Sequence, residues 1–379
     1  MIIDFGAKNF FSFKEGFDIS FAFGGNCPEI ISQGNYLSNV LCVKGANGSG
    51  KTNILKCIDF ISRFISDSFS NKPNGLLQFD PFFESKEPTE FYVSFFIKNL
   101  TYRYEAILDE NKVYSEMLYR KDKREIKVFE RKEDKVTFAI KEFHDLTLMP
   151  KLRKNVSLLS MAKQFEINCA KPFIDFFSGI ITNVNYRGLM PDFGNFETLD
   201  EFLYEYEDYF DFVKNILIKF DPGISDIYIS KTNEDGKSKY TPWFVFDING
   251  EEDILPLDLQ SSGTKSLYRQ LGSYKAVLDS GSLLVLDEFD INLHPHILPH
   301  LLQMFLDPDV NSNNAQLIFT THNTEIMDTL GRYRTYLVNK DRIESFCYRL
   351  DEIPGDILRN DRSISLPYNQ GKIGGIPKV

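Results

Sequence analysis

Eight residues, Gly45-Ala46-Asn47-Gly48-Ser49-Gly50-Lys51-Thr52, stand between the apolar run Val40-Leu41-Cys42-Val43 and a stretch that repeats Ile54, Leu55, Ile58, Ile61 and Ile65 at helical spacing. The pattern GxxxxGK[ST] between a strand and a helix narrows the possible folds sharply. Its glycines let the backbone curl around a phosphate chain and aim N–H donors at it from a helix N-terminus. On this reading Asn47, Gly48, Ser49 and Gly50 supply the cradle, Lys51 meets the β and γ phosphates of a nucleotide, and Thr52 ligates magnesium.

The remaining hydrophobic pattern says what surrounds the cradle. Residues 90 to 140 read as an antiparallel meander, with turn chemistry such as Asp109-Glu110-Asn111-Lys112 between runs of alternating residues. From about 146 to 220 the pattern turns helical, and Thr198-Leu199-Asp200-Glu201 has the spacing of a capping box before a long acidic helix that stops at Pro222-Gly223. Asn249-Gly250 is a two-residue hairpin signal. Beyond it, a helix over 265–278, the strand Leu283 to Leu286, a helix near 295–306, the strand Gln316 to Thr320 and the strand Thr335 to Val338 imply a covered, mostly parallel sheet. We therefore expect three stretches: 1–145 as an N-terminal lobe with an antiparallel β subdomain, 146–225 as a helical insertion, and 226–379 as a C-terminal lobe.

Ser282-Leu283-Leu284-Val285-Leu286-Asp287-Glu288 is a buried strand ending in two acids. Beside a phosphate cradle, Asp287 is placed to hold the magnesium shell and Glu288 to polarise an attacking water. Gln260-Ser261-Ser262-Gly263-Thr264-Lys265 precedes a helix, Asp290-Ile291-Asn292-Leu293-His294-Pro295 follows the acids, and His322 follows the next strand within Thr320-Thr321-His322-Asn323. In this order the motifs resemble those of the ABC-type ATPases. That resemblance implies an α/β P-loop ATPase head with a mixed or parallel core sheet, ATP and Mg2+ as its ligands, and hydrolysis of ATP to ADP and phosphate. It further implies that His322 contacts the γ-phosphate, and that Ser262 and Gly263 close over a nucleotide held by a second copy. Gln78 and Gln164 are the candidates for the glutamine loop of that class.

Within the class, Lys8-Asn9-Phe10-Phe11-Ser12-Phe13-Lys14 looks like the opening of the SMC, RecF and OLD branch, and no sustained heptads follow it. The cradle, the run Lys86-Glu87-Pro88-Thr89-Glu90-Phe91, the Ser-Ser-Gly-Thr-Lys signature and the closing Tyr368-Asn369-Gln370-Gly371-Lys372-Ile373-Gly374-Gly375-Ile376-Pro377 are similar to the stand-alone ATPases of prokaryotic defence islands: AbiLi, RloA and the AriA subunit of the PARIS system. This resemblance implies a nucleotide-gated homodimer, or a higher oligomer of such dimers, acting in abortive infection. It implies a separately encoded effector, a Toprim-like or other toxic nuclease, and a phage component as trigger.

Composition removes other readings. Hydrophobic residues make up 42% of 379 residues, and the net charge is −11, so coating of nucleic acid by bulk charge is excluded. A local basic patch is the exception, since residues 120–135 carry eight basic side chains against five acids. That hairpin, with Lys151, Arg153 and Lys154, is where a RecF-like DNA clamp would touch a phosphate backbone, and Arg153 could instead reach a nucleotide. Interleaved acids favour a solvated hairpin instead. The acidic helix, with Phe202, Leu203, Tyr206, Phe210 and Phe212 among its carboxylates, packs its aromatic stripe inward or docks a partner. His294, His296 and His300 lack a third spaced ligand and do not read as a metal site. Five scattered cysteines without a CxxC pair, and no long apolar run, fit a cytoplasmic chain with no membrane partner. A scaffold that holds ATP and barely turns it over is a further reading.

Overall fold

A computed structural model of the chain describes residues 1–149, 151–190, 196–234, 236–355, 357–360 and 362–376. Its centre is a six-stranded sheet in the order Glu344–Arg349, Thr335–Asp341, Val40–Gly45, Gln316–Thr320, Leu283–Leu286, Ile181–Thr182. All neighbours are parallel except the Glu344–Arg349 edge. Strands buried on both faces read as unbroken apolar runs, and these do. Side chains alternate between the two faces. Leu41, Val43, Leu283, Val285 and Ile318 enter one core, while Val40, Cys42, Leu284, Leu286, Leu317 and Phe319 enter another.

The first core lies under the helix Lys51–Asp67 and a seven-stranded antiparallel sheet, which runs Phe17–Ser20, Ile2–Lys8, Thr89–Ile97, Leu100–Leu108, Val113–Lys121, Glu125–Lys132, Lys135–Ala139. The meander over 90–140 is thus found, joined to the chain's opening strands. Phe10, Phe13, Phe60, Phe79, Phe91 and Phe95 crowd this core, which explains much of the phenylalanine load. The second core holds the helices Ser262–Ser280 and Leu298–Leu306 and a three-stranded sheet of Ile224–Glu234, Lys237–Ile248 and Glu251–Pro256. Asn249 and Gly250 both take positive φ, 57° and 88°, as the two-residue hairpin turn requires.

Residues 146–225 serve both sides of the central sheet. Helices Leu158–Gln164 and Lys171–Ser178 pack with the Lys51–Asp67 helix, Ile181–Thr182 becomes the sheet's edge strand, and Glu207–Phe220 joins the second core. The single long acidic helix is instead two, Phe196–Glu205 and Glu207–Phe220. Thr198 lies inside the first rather than capping it. Tyr206 breaks the run, its ring packed 4.6 Å from that of Phe202. Leu203, Val213 and Leu217 are buried and Phe202, Phe210 and Phe212 pack partly buried against the second core, while Tyr206 is half exposed.

Among the described residues no helix is long and apolar enough to cross a membrane. Asp200 ties the helical layer to the Ser262–Ser280 helix by accepting a hydrogen bond from the Tyr268 hydroxyl at 2.9 Å. Burial pushes its carboxyl up to about 6, with the Tyr268 hydrogen bond opposing. The folded chain therefore holds this proton more tightly than the unfolded chain. Its stabilisation is complete below the ordinary value of 3.8 and is lost as pH rises through about 6. Asp200→Asn should melt higher than the parent at pH 8, with the advantage gone at pH 4; thermal denaturation at both values checks this, and an equal difference at both would remove Asp200 from the linkage.

Candidate functional site

The cradle is shaped by backbone conformations that only glycine takes easily. Gly48 and Gly50 have φ of 72° and 110°, and Gly50 is the residue before the helix Lys51–Asp67. A Cβ on Gly50 would lie 2.8 Å from the hydroxyls of both Ser12 and Ser345, and one on Gly45 would lie 2.3 Å from the Val338 carbonyl. Those serines buttress the loop from behind. Ser345 donates to the Ser49 carbonyl at 2.6 Å and accepts from the Ser12 hydroxyl at 2.7 Å, and Asn53 donates to Ser12 at 2.9 Å. Asn47 and Gly48 stand exposed at the rim, and the Ser49 hydroxyl is buried without a partner.

Lys51 folds back over the loop, donating to the carbonyls of Gly45 at 2.9 Å and Ala46 at 3.1 Å. Burial pulls its ammonium below the ordinary range, while Asp287, Glu288 and Asp290 pull the other way. It is a cation held for anions. A loop of N–H donors at a helix start, with such a lysine folded over it, fits a phosphate chain.

Adjacent strands bring the acids to the same end of the sheet. Thr52 donates to Asp287 Oδ2 at 2.8 Å, and Thr320 donates to Asp287 Oδ1 at 2.5 Å. A threonine hydroxyl and a carboxylate side by side are the hard oxygen donors Mg2+ takes, so the donor set fits it. Glu288 follows in the left-handed region, φ 50°, its N–H held by Thr320 at 2.8 Å. A non-glycine residue there carries strain, a cost retained where a side chain must be aimed. His322 is exposed beyond the middle strand; its N–H reaches both Asp290 oxygens at 3.2 Å, and its carbonyl accepts from Lys44 at 2.9 Å.

Ser262 and Gly263 form the first turn of the Ser262–Ser280 helix, which Ser261 caps by accepting from the Thr264 N–H at 3.1 Å. Ser262 is exposed, and a Cβ on Gly263 would lie 2.9 Å from the Asn292 carbonyl. Among the described residues no hydrogen bond joins this turn to Gly45–Thr52. The cradle and signature of one chain are thus separate elements.

Sequence reasoning missed Asn183. Its side-chain oxygen accepts from the Asp287 N–H at 2.7 Å, and its amide donates to the Asp287 carbonyl at 3.0 Å, pinning the backbone that carries the acid. The signal was weak, a two-residue edge strand among helical patterns. The glutamine candidates lie elsewhere: Gln78 accepts from Arg63, about 18 Å along the helix from Lys51 at 1.5 Å per residue, and Gln164 ends an exposed helix turn.

The basic hairpin is largely the solvated, charge-alternating segment that its interleaved acids favour, and Arg131 is the departure. Arg131 is fully buried, held by Glu116 at 3.2 Å and by the carbonyls of Glu133, Arg153 and Val156. Arg120 pairs with Glu142, and Lys127 and Lys132 share Glu130. Arg153 donates to the carbonyls of Phe69 and Asn71, bonds that tie its guanidinium to the loop after the cradle helix. His294 stacks on His296 and His300 packs on Phe220, and among the described residues no cluster of three or more His, Cys, Asp or Glu could hold a metal.

Residues 40–328 match the family described as “AAA domain, putative AbiEii toxin, Type IV TA system”. Among solved structures, the chain is similar to the SMC head domain from Thermotoga maritima, at 16% identity and a TM-score of 0.46 over 92% of this chain and 98% of that one. It is also similar to the Smc head domain from Pyrococcus furiosus with an extended coiled coil bound to the C-terminal domain of ScpA, at 13% identity and a TM-score of 0.44 over 93% and 97%. No curated protein matches the sequence.

Replacing Gly50 by Ala forces a Cβ into Ser12 and Ser345 at a positive φ. Gly50→Ala should weaken ATP binding by about 10-fold or more, since a misplacement near 1 Å is costly at a positioned site. Equilibrium binding of a fluorescent ATP analogue measures it, and an unchanged affinity would contradict this account of the cradle.

Proposed function

The chain belongs to this AAA-domain family and has the fold of an ABC-type P-loop ATPase head, and on that premise we propose that it is a Mg2+-dependent ATPase working as a nucleotide-gated dimer. The observation that carries the reading is the junction of Thr52 and Asp287 at the mouth of the cradle, with Glu288 next in the chain and near enough to act on the Lys51 ammonium. Lys51 and the N–H groups of Asn47 to Thr52 bind the phosphates. Thr52 and Asp287 would hold Mg2+, which when bound neutralises charge on the β and γ oxygens. Glu288 accepts the proton of the attacking water, and His322 contacts the γ-phosphate. Phosphoryl transfer relies on positioning and charge stabilisation, so no nucleophilic side chain is required.

Ser262 and Gly263 serve the nucleotide of a second copy. Their exposed helix start supplies a positive dipole end and N–H groups that, at Ser262 and Gly263, donate to no acceptor among the described residues, and a γ-phosphate is the complementary ligand. ATP thus joins two heads, and hydrolysis releases them.

The biological role we infer is a switch in antiphage defence of the abortive-infection kind, in the AbiLi, RloA and AriA group, sensing a phage component and restraining a separately encoded toxic nuclease. The family's description, which names a toxin of a type IV toxin–antitoxin system, supports that direction. The closing motif of that group is present from Tyr368 to Ile376, while its Pro377 lies outside the described residues. A DNA clamp draws less support, because ion pairs and burial consume much of the basic hairpin.

Glu288→Gln keeps the shape and removes the base. It should cut turnover about 100-fold or more, a typical loss for general-base removal, while ATP prolongs the dimer. Steady-state phosphate release and light scattering with ATP test both. Unchanged turnover would remove Glu288 from the chemistry and reopen the scaffold reading.

A further inference from the structure

Lys44 is the penultimate residue of the strand that enters the cradle, and its side chain reaches the turn after the neighbouring strand Gln316–Thr320. Its side chain is buried, only 1% exposed, in a place where most lysines are excluded. Among the described residues no carboxylate pairs with it within 4 Å. Its ammonium instead donates to the carbonyls of His322 at 2.9 Å and Thr321 at 3.5 Å and sits 5.2 Å from the centre of the Tyr368 ring. Burial pulls the ammonium down, and Asp290 partly opposes this.

Asp290 grips the same peptide from the other end. It accepts from the N–H groups of His322 at 3.2 Å and Asn323 at 3.1 Å. The peptide between His322 and Asn323 is therefore held at both ends, its carbonyl by the Lys44 ammonium and its N–H by Asp290, and the same carboxylate takes the His322 N–H. Each is a charge-assisted hydrogen bond, and together they fix the backbone from which the exposed imidazole projects. The ring beneath Lys44 comes from the chain's last described segment, where Tyr368 donates to the Gly375 carbonyl at 2.9 Å and Gly375 donates to Asn339 at 2.7 Å.

We infer that Lys44 is a positioning residue for His322, bracing the switch-histidine turn against the strand that carries the cradle, with the Tyr368 segment as its backing. This rests on the ATPase reading of the site, and it assigns a role to a buried cation that neither the phosphate loop nor Asp287 uses. A link follows between the two ends of the chain. Lys51 caps the Gly45 carbonyl, one residue beyond Lys44, so movement of Lys51 onto a phosphate is felt at the base of the brace.

The test is a double-mutant cycle in the full chain with Lys44→Met and His322→Ala. Methionine keeps the apolar stem and removes the charge. Lys44→Met should lower kcat about 10- to 100-fold with ATP affinity and KM within about twofold of the parent, the pattern of a mispositioned group. Because Lys44 acts through His322, the double variant should turn over no more slowly than His322→Ala alone. Additive losses, a kcat equal to the parent's, or a matching loss of ATP affinity would overturn the inference. If Lys44→Met does not fold, Tyr368→Leu, which removes the backing ring, is put through the same cycle under the same criteria. His322→Ala with parental turnover would sink the reading of His322 itself, a failure visible before Lys44 is considered.

Discussion

The hydrogen bond between Thr52 and Asp287 joins two elements 235 residues apart in sequence, and the site exists because the sheet makes it possible. Val40–Gly45, Gln316–Thr320 and Leu283–Leu286 lie side by side and parallel, so Gly45, Thr320 and Leu286 end together. Ligands of open parallel sheets bind at this edge. Everything chemical hangs from these three ends: the cradle from the first, Thr320 and the His322 turn from the second, Asp287 and Glu288 from the third. The two apolar cores fix the strands, and an error in strand register would invert their faces.

Around that edge, charges act in opposed pairs whose members come from different elements. Lys51 is buried among carbonyls with Asp287, Glu288 and Asp290 near it, and Lys44 is buried with Asp290 near it. Both cations cost free energy to bury, and both sit where an anion or a carbonyl meets them. In the proposed ATPase Lys51 serves the position where triphosphate enters, and Lys44 the loop that responds to it. The signature turn stands outside this network, and in the proposed dimer its donors serve the second copy.

Legibility in the sequence followed locality. The cradle, the acidic strand end, the signature turn and the Asn249-Gly250 hairpin are each encoded within about a dozen residues, and the structure has the expected elements there. What depended on distant partners was not readable. Asn183 matters only through Asp287, 104 residues away, and Ser12 and Ser345 meet across 333 residues behind the loop. Arg131 looked like surface charge because Glu116, on the neighbouring strand, is invisible to a local reading. Thr198 had a capping spacing, yet the described residues Phe196 and Glu197 before it are already helical, and the helix gives way at Tyr206.

Sharing of each nucleotide between two copies is the central claim, and trans-complementation measures it most directly. Lys51→Ala disables the cradle and Ser262→Arg disables the signature, so neither variant alone should hydrolyse ATP. Mixed and allowed to exchange, half of the dimers would contain one intact composite site, and activity should return to about a quarter of the parent's. Mixtures as inactive as their components, or a Ser262→Arg variant that hydrolyses ATP like the parent, would contradict the account.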